Sequence, residues 1–248
     1  MKNSVADSPN TDSRDFTATI SLLFLLILVD LLFIGLHVLH VWSPWLKSMM
    51  YSLERDSGMA EQYQYIKQIW LAACLGVTFL QRRSRSFAGW ALFFAFLLLD
   101  DALQIHERVG LKLGQALGIP PMFGLRSDDF GEVIVAGIVG FAACVFAWLS
   151  IRRGGESARR LSADLLCLLG ALALFGVFFD VLHTITYFRL PSAAPVFALV
   201  EDGGEMLVVS VITAYVFDVL VNAGKIRVPV WPWVRKRGLI FFSGPAEK

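Results

Sequence analysis

Residues 16–42 read FTATISLLFLLILVDLLFIGLHVLHVW, an apolar run interrupted by a single charged residue, Asp30, and by His37 and His40. About 20 mostly apolar residues suffice for a helix to cross a bilayer, so this run predicts a transmembrane helix. Five further windows follow the same pattern, at 63–80, 87–104, 130–151, 161–188 and 195–221. Breakers separate them: Ser43-Pro44, the polar stretch 81–86, the Gly-Pro-Pro-containing stretch 118–127, Gly154-Gly155, and the prolines Pro191 and Pro195. The expected fold is an all-α, polytopic membrane helix bundle of six transmembrane helices.

Composition agrees. Hydrophobic residues make up 56% of the 248, charged residues 17%, and the mean hydropathy is +0.61. A soluble domain carries about 25% charged residues, so a water-soluble globule, a disordered chain and a secreted disulfide scaffold are all excluded. Cys74, Cys144 and Cys167 sit inside apolar runs without a CxxC pair and read as packing residues. A net charge of +1 offers no basic field for nucleic acid. Residues 1–15 lack the apolar core and cleavage site of a signal peptide and are expected to form a disordered cytoplasmic tail. Residues 16–221 form the membrane domain. Residues 222–248 form a cytoplasmic tail in which 228–234, with Trp231 and Trp233 among prolines, reads as an interfacial anchor.

Orientation follows from the basic residues. Arg82, Arg83 and Arg85 follow the second span, Arg152, Arg153, Arg159 and Arg160 the fourth, and Lys225, Arg227, Arg235, Lys236 and Arg237 the sixth. All three clusters fall on one side if both termini are cytoplasmic. The expected location is the bacterial cytoplasmic (inner) membrane, with the lipid bilayer as surroundings. Small residues four apart, Ala136 and Gly140, are expected to bring the fourth span close to a neighbour.

Ionisable groups inside spans are costly and mark function. They are numerous here: Asp30, His37 and His40; Glu61 and Lys67; Asp100, Asp101, His106 and Glu107; Asp128, Asp129 and Glu132; Asp180 and His183; Glu201, Asp202 and Glu205. With the orientation above, nearly all lie in the outer half of the membrane, Asp164 and Asp218 excepted. One polar cavity opening outward is therefore expected. Residues three, four or seven apart share a helix face, which groups Asp180 with His183, Glu201 with Glu205, and Asp100 with Gln104 and Glu107. His106 and Glu107 can both face such a cavity only if the third span unwinds there; otherwise one of them serves the outer surface. Gly203-Gly204 leaves room for a close approach.

Carboxylates and imidazoles suit Fe, Mn or Zn. The metal-ligand candidates are Asp101, His106, Asp180, His183, Glu201 and Glu205, with Glu107 and Asp180 as the candidates for acid–base work. Acids outnumber bases so heavily among them that either several hold protons or a cation neutralises them. Lys67 fits equally a buried ion pair, and Asp128, Asp129 and Glu132 a helix N-terminus. The segments Leu98-Leu99-Asp100-Asp101, His106-Glu107 and Val200–Met206 resemble motifs of small bacterial polytopic membrane proteins of unassigned function. A likeness to the membrane zinc hydrolases of the alkaline ceramidase type fails, since the last span has no His-x-x-x-His. The expected function is a metal-binding membrane protein acting on a lipid-soluble substrate by hydrolysis or metal-centred oxidation. The alternatives are a cation- or proton-coupled transporter and a non-catalytic subunit of a membrane complex.

Overall fold

The computed structural model describes residues 9–227. Eight α-helices follow one another: α1 (Pro9–Trp42), α2 (Met59–Arg82), α3 (Arg85–Leu103), α4 (Ile105–Leu117), α5 (Ser127–Arg153), α6 (Glu156–Ala173), α7 (Asp180–Arg189) and α8 (Ala194–Val221). A 3-10 turn at Met49–Tyr51 lies in the first loop, and a π-helical segment, Leu174–Phe179, joins α6 to α7. No strand occurs among the described residues, only an isolated bridge between Met122 and Leu125.

Five helical stretches are long and apolar enough to cross a membrane: Asp15–Trp42, Arg85–Leu103, Ser127–Arg153, Glu156–Arg189 and Ala194–Val221. The chain is thus an all-helical, multi-pass membrane protein. The remaining expected span, 63–80, lies within α2, whose first turns carry Glu61, Gln62, Gln64, Lys67 and Gln68 and lower its apolar character. α1 reaches back to Pro9, into the polar stretch expected to be tail. The expected anchor at 228–234 lies outside the described residues.

α8 is the central helix, packed against α1, α2, α6 and α7. Its candidate span is 56% buried, against 17% for α1. The flanks of the other helices present Phe24, Leu92 and Phe141, each well over half exposed. Such side chains belong against lipid tails, which are as apolar as leucine, so shape-matched packing replaces hydrophobic burial as the force between helices.

The two ends of the bundle differ. At the basic end, the α2–α3 turn meets the end of α8, where the Arg82 side chain donates to the Ala223 carbonyl, and Arg227 pairs with Asp15 at 3.1 Å. Beneath it lies the apolar core of Leu71, Leu75, Phe87, Trp90, Phe94, Ala147, Leu161, Leu165, Leu168, Ile212, Val216 and Val219. The opposite, acidic end holds the long first loop, the α3–α4 break, the start of α5 and the α7–α8 turn.

At the acidic end, α4 lies antiparallel along α5 at very short range. A Cβ on Gly131 would strike the Gly110 carbonyl, and one on Gly114 the Ser127 backbone. The expected Ala136/Gly140 contact is not formed: Gly140 is exposed, with nothing within 4 Å of where its Cβ would stand. The close approach depends on glycines of α4, a segment whose polar residues hid it from a search for apolar spans. α4 ends at Gly118 in the left-handed region, φ 61°, which glycine adopts without a steric penalty.

Candidate functional site

The helix that carries the third span breaks just before His106 and Glu107. Gln104, between α3 and α4, takes φ 50° and ψ 46°, a left-handed conformation uncommon for a residue with a Cβ. Asp100, in the last turn of α3, stabilises the break: its Oδ1 accepts the His106 backbone N–H at 2.9 Å. Its Oδ2 lies 3.1 Å from His106 Nδ1. Asp100, Asp101 and His106 offer ligand atoms within 4.8 Å of one another, the one such group among the described residues. Asp101 also accepts from Gln68 Nε2 at 2.6 Å.

His183 repeats the arrangement across the bundle. Its Nδ1 lies 2.8 Å from Glu201 Oε2, linking α7 to α8. With Nδ1–H donated to a carboxylate, each ring keeps its lone pair on Nε2. Metal-ligating histidines are usually held in this way, the carboxylate fixing both tautomer and ring direction. Asp100 and Glu201 therefore orient His106 and His183. Two carboxylates and one imidazole match the donor preferences of Fe, Mn and Zn.

The six ligand candidates do not form one compact group. Asp101 and His106 come together with Asp100, and His183 comes together with Glu201. Glu205 lies within electrostatic range of acids from both groups, whereas Asp180 lies near His183 and Glu201. The strongest charges acting on Glu205 are those of Asp202, Asp101, Glu201 and Asp180, all carboxylates. Those acting on Asp180 are Glu201, Glu132, His183 and Asp129. Glu205 also lies against the π-helical segment, where a Cβ on Gly176 would overlap its Oε1. Beside it, the Phe175 ring covers Gly204, so the room expected at Gly203-Gly204 is taken by an aromatic side chain. π-helical turns recur at functional sites.

Glu107 sits on α4, outside the candidate spans. Partial burial lifts its carboxyl above the usual range, and the charges of Asp56 and Glu61 add to the lift, opposed by His106 and Arg108. Asp129 serves the start of α5, accepting the Arg126 backbone N–H at 2.6 Å and pairing with its guanidinium at 2.9 Å.

Asp30, His37 and His40 do other work. Asp30 and Lys67 are wholly buried and pair at 2.8 Å; Lys67 Nζ also donates to the Met206 carbonyl at 2.9 Å and Ser210 Oγ at 3.2 Å. Ser210 donates in turn to Asp30 at 2.5 Å, so α1, α2 and α8 meet in one closed polar knot. His37 Nδ1 accepts the Leu53 backbone N–H at 3.0 Å, which puts the proton of the neutral ring on Nε2. That tautomer is the reverse of a Nε2 ligand's, and it pins the first loop to α1. Its Nε2 stands 3.9 Å from Glu54, a loop acid that lies outside every apolar run and so gave no signal in the sequence. His40 Nδ1 lies 3.0 Å from the Leu46 carbonyl.

Fold and site define a multi-pass helical membrane protein with an acidic, histidine-bearing end. The chain belongs to the family described as a domain of unknown function, DUF8692, which matches residues 25–219. That stretch holds every candidate ligand named above. No curated protein and no solved structure matches the chain.

Proposed function

We propose that this is a six-span protein of the bacterial cytoplasmic membrane, both termini inside, whose acidic end binds a divalent Fe, Mn or Zn ion in the outer half of the bilayer. In this reading it acts on a lipid-soluble substrate by hydrolysis or metal-centred oxidation. Arginine-rich turns gathered at one end support the orientation. One observation carries the metal reading: Asp100, Asp101 and His106 converge at the α3–α4 break, with Asp100 directing the His106 ring. Asp101 and His106 would be the first ligands. Asp180, His183, Glu201 and Glu205 extend the donor set, and Glu107 and Asp180 would move protons. A bound divalent ion would polarise a substrate oxygen or lower the pKa of a bound water.

Elemental analysis of the purified full chain, in detergent and without chelator, tests this. The expected result is stoichiometric Fe, Mn or Zn, lost in His106→Ala and Asp101→Asn. A metal-free wild type, or unchanged metal in both variants, overturns it.

The buried Lys67–Asp30 pair favours a second reading, a cation- or proton-coupled carrier, since ion pairs buried between spans recur along ion pathways. Ion flux in proteoliposomes that stops in Asp30→Asn, whose shape is conserved, would support it.

A further inference from the structure

The first loop, 43–58, is fastened to α1, α2 and the α3–α4 break. Leu53 donates its backbone N–H to His37 Nδ1 at 3.0 Å, and His40 Nδ1 lies 3.0 Å from the Leu46 carbonyl, so two arms of the loop hang from α1. Gln104 Nε2 donates to Asp56 at 3.0 Å, and Glu61 of α2 accepts the Ser57 backbone N–H. Between these ties Leu53 turns inward. It is buried with Ala60 and Met206, and Phe33, Ile34, Tyr63 and Leu199 pack around them. The next residue, Glu54, is among the charges acting on His183 and Asp202. The loop thus reaches both histidine pairs, the break that carries His106 through Asp56 and the surroundings of His183 through Glu54.

A proton acts oppositely on the two histidine ties. His40 faces a carbonyl, so its Nδ1 must donate, and an imidazolium keeps that bond. His37 faces a backbone N–H, so its Nδ1 must accept. An imidazolium carries N–H on both nitrogens and has no lone pair to offer. Protonating His37 and holding Leu53 are therefore mutually exclusive. The ring is fully buried; acting on it are Glu54, whose Oε1 stands 3.9 Å from Nε2, and His40, one turn along α1. Arg55 and Asp56 of the loop are exposed to solvent. Two turns deeper, Asp30 is paired with Lys67 of α2. On α8, Glu201 is paired with His183, and Asp202 lies within electrostatic range of that ring. The Tyr63 hydroxyl of α2 donates to the Leu26 carbonyl at 3.3 Å.

We infer that the first loop is a lid over the acidic end, latched shut by neutral His37 and released by acid on that side of the membrane. A histidine ring freed into water binds a proton near pH 6.5, so each unit below that value moves the lid toward its open form by up to about tenfold. The release is one-sided. The His40–Leu46 tie survives protonation, so the loop swings from Leu46 and carries Leu53 and Glu54 away from α1 and His183. The latch goes beyond the metal reading and does not depend on it, since His37 is in neither group of ligand candidates.

Hydrogen–deuterium exchange of the full chain in detergent tests this on the segment 51–55, on both sides of the ordinary histidine value, from about pH 7.5 down to about pH 4.5. After correction for the intrinsic pH dependence of exchange, protection of the Leu53 amide should fall by up to about tenfold for each unit below about pH 6.5, while protection of 209–216 in α8 stays level. His37→Asn puts an amide oxygen where Nδ1 stands, an acceptor that does not titrate. Its Leu53 protection should not change with pH. His40→Asn should keep the wild-type pH dependence. If His37→Asn does not fold, nitrogen NMR of the histidine rings reads the same device in the wild type: His37 Nδ1 should gain its proton over the range in which Leu53 loses protection. Leu53 protection that is flat with pH in the wild type overturns the inference. So does a pH dependence that survives His37→Asn or vanishes in His40→Asn, or a His37 ring that titrates while Leu53 stays protected.

Discussion

At the basic end, polar groups that enter the core arrive in matched pairs. Trp90 Nε1 donates to Ser162 at 2.9 Å, Tyr215 to Asp164 at 2.8 Å, and Thr19 to Asp218 at 3.0 Å. At the acidic end the ratio is inverted. His106 and His183 are shared among Asp100, Asp101, Asp180, Glu201, Asp202 and Glu205, and the helices there are held apart from regularity by a left-handed Gln104 and a π-helical turn. One end is closed and almost wholly satisfied, Asn222 Oδ1 excepted; the other carries a surplus of acids. Satisfied buried polar groups rigidify a structure, and surplus like charges do not. Stability and chemistry are therefore separated along the bundle axis, with the Lys67–Asp30 knot at the boundary.

Breaking that boundary has the largest expected effect. Lys67→Met leaves Asp30 buried without a counter-charge and should cost about 3–5 kcal/mol, whereas Lys67→Met with Asp30→Leu should recover most of it. Thermal unfolding in detergent reads both, and a double variant no better than the single would remove the pair from the account. Next comes a contrast between the ends. Leu165→Ala empties a fully buried core position and should cost about 2–5 kcal/mol. Asp180→Asn, which thins the acidic surplus, should change stability by no more than about 0.5 kcal/mol. Equal losses would dissolve the division of labour.

The smallest effect is a pH dependence at Glu107. Its folded-state pKa lies above the unfolded one, so the folded state holds the proton more tightly and the charged form is the costly one. Stability should fall as pH rises from about 4.3, the ordinary glutamate value, through the raised value. Melting temperatures across that window should lose part of their slope in Glu107→Gln. An identical slope would show that Glu107 is not what titrates.

Much of this was legible in the sequence, and the reasons are specific. Apolar runs locate helices because lipid demands them, so the window 195–221 and helix α8 agree almost to the residue. The sequence left two options for His106 and Glu107, a break in the third span or one of them on the outer surface, and the chain does break at Gln104. Helical spacing placed Asp180, His183, Glu201 and Glu205 at one end, but spacing within a helix says nothing about which histidine meets which acid. The Asp100–His106 and Glu201–His183 pairs needed the tertiary structure. α4 escaped because its polarity matched a loop. The π-helical turn escaped because its apolar residues read as ordinary helix, and the Glu205 carboxylate that lies against Gly176 is about 30 residues away in sequence. For His37 the sequence left ligation and packing open; its Nδ1 accepts a backbone N–H, a partner invisible to residue patterns, and holds the loop.

The Lys67–Asp30 pair bears on how the chain enters the membrane. A lysine in the middle of a span costs about 2.5–3.5 kcal/mol at insertion, and α2 is the helix that falls short of a span by composition. Its counter-charge is on α1, synthesised just before it. The two helices are thus suited to enter as a hairpin, each cancelling the other's charge, while the Ser210 hydroxyl and the Met206 carbonyl that complete the knot arrive only with α8, the last of the described helices. Without α8 the pair lacks two of its hydrogen-bond partners, the Met206 carbonyl and the Ser210 hydroxyl.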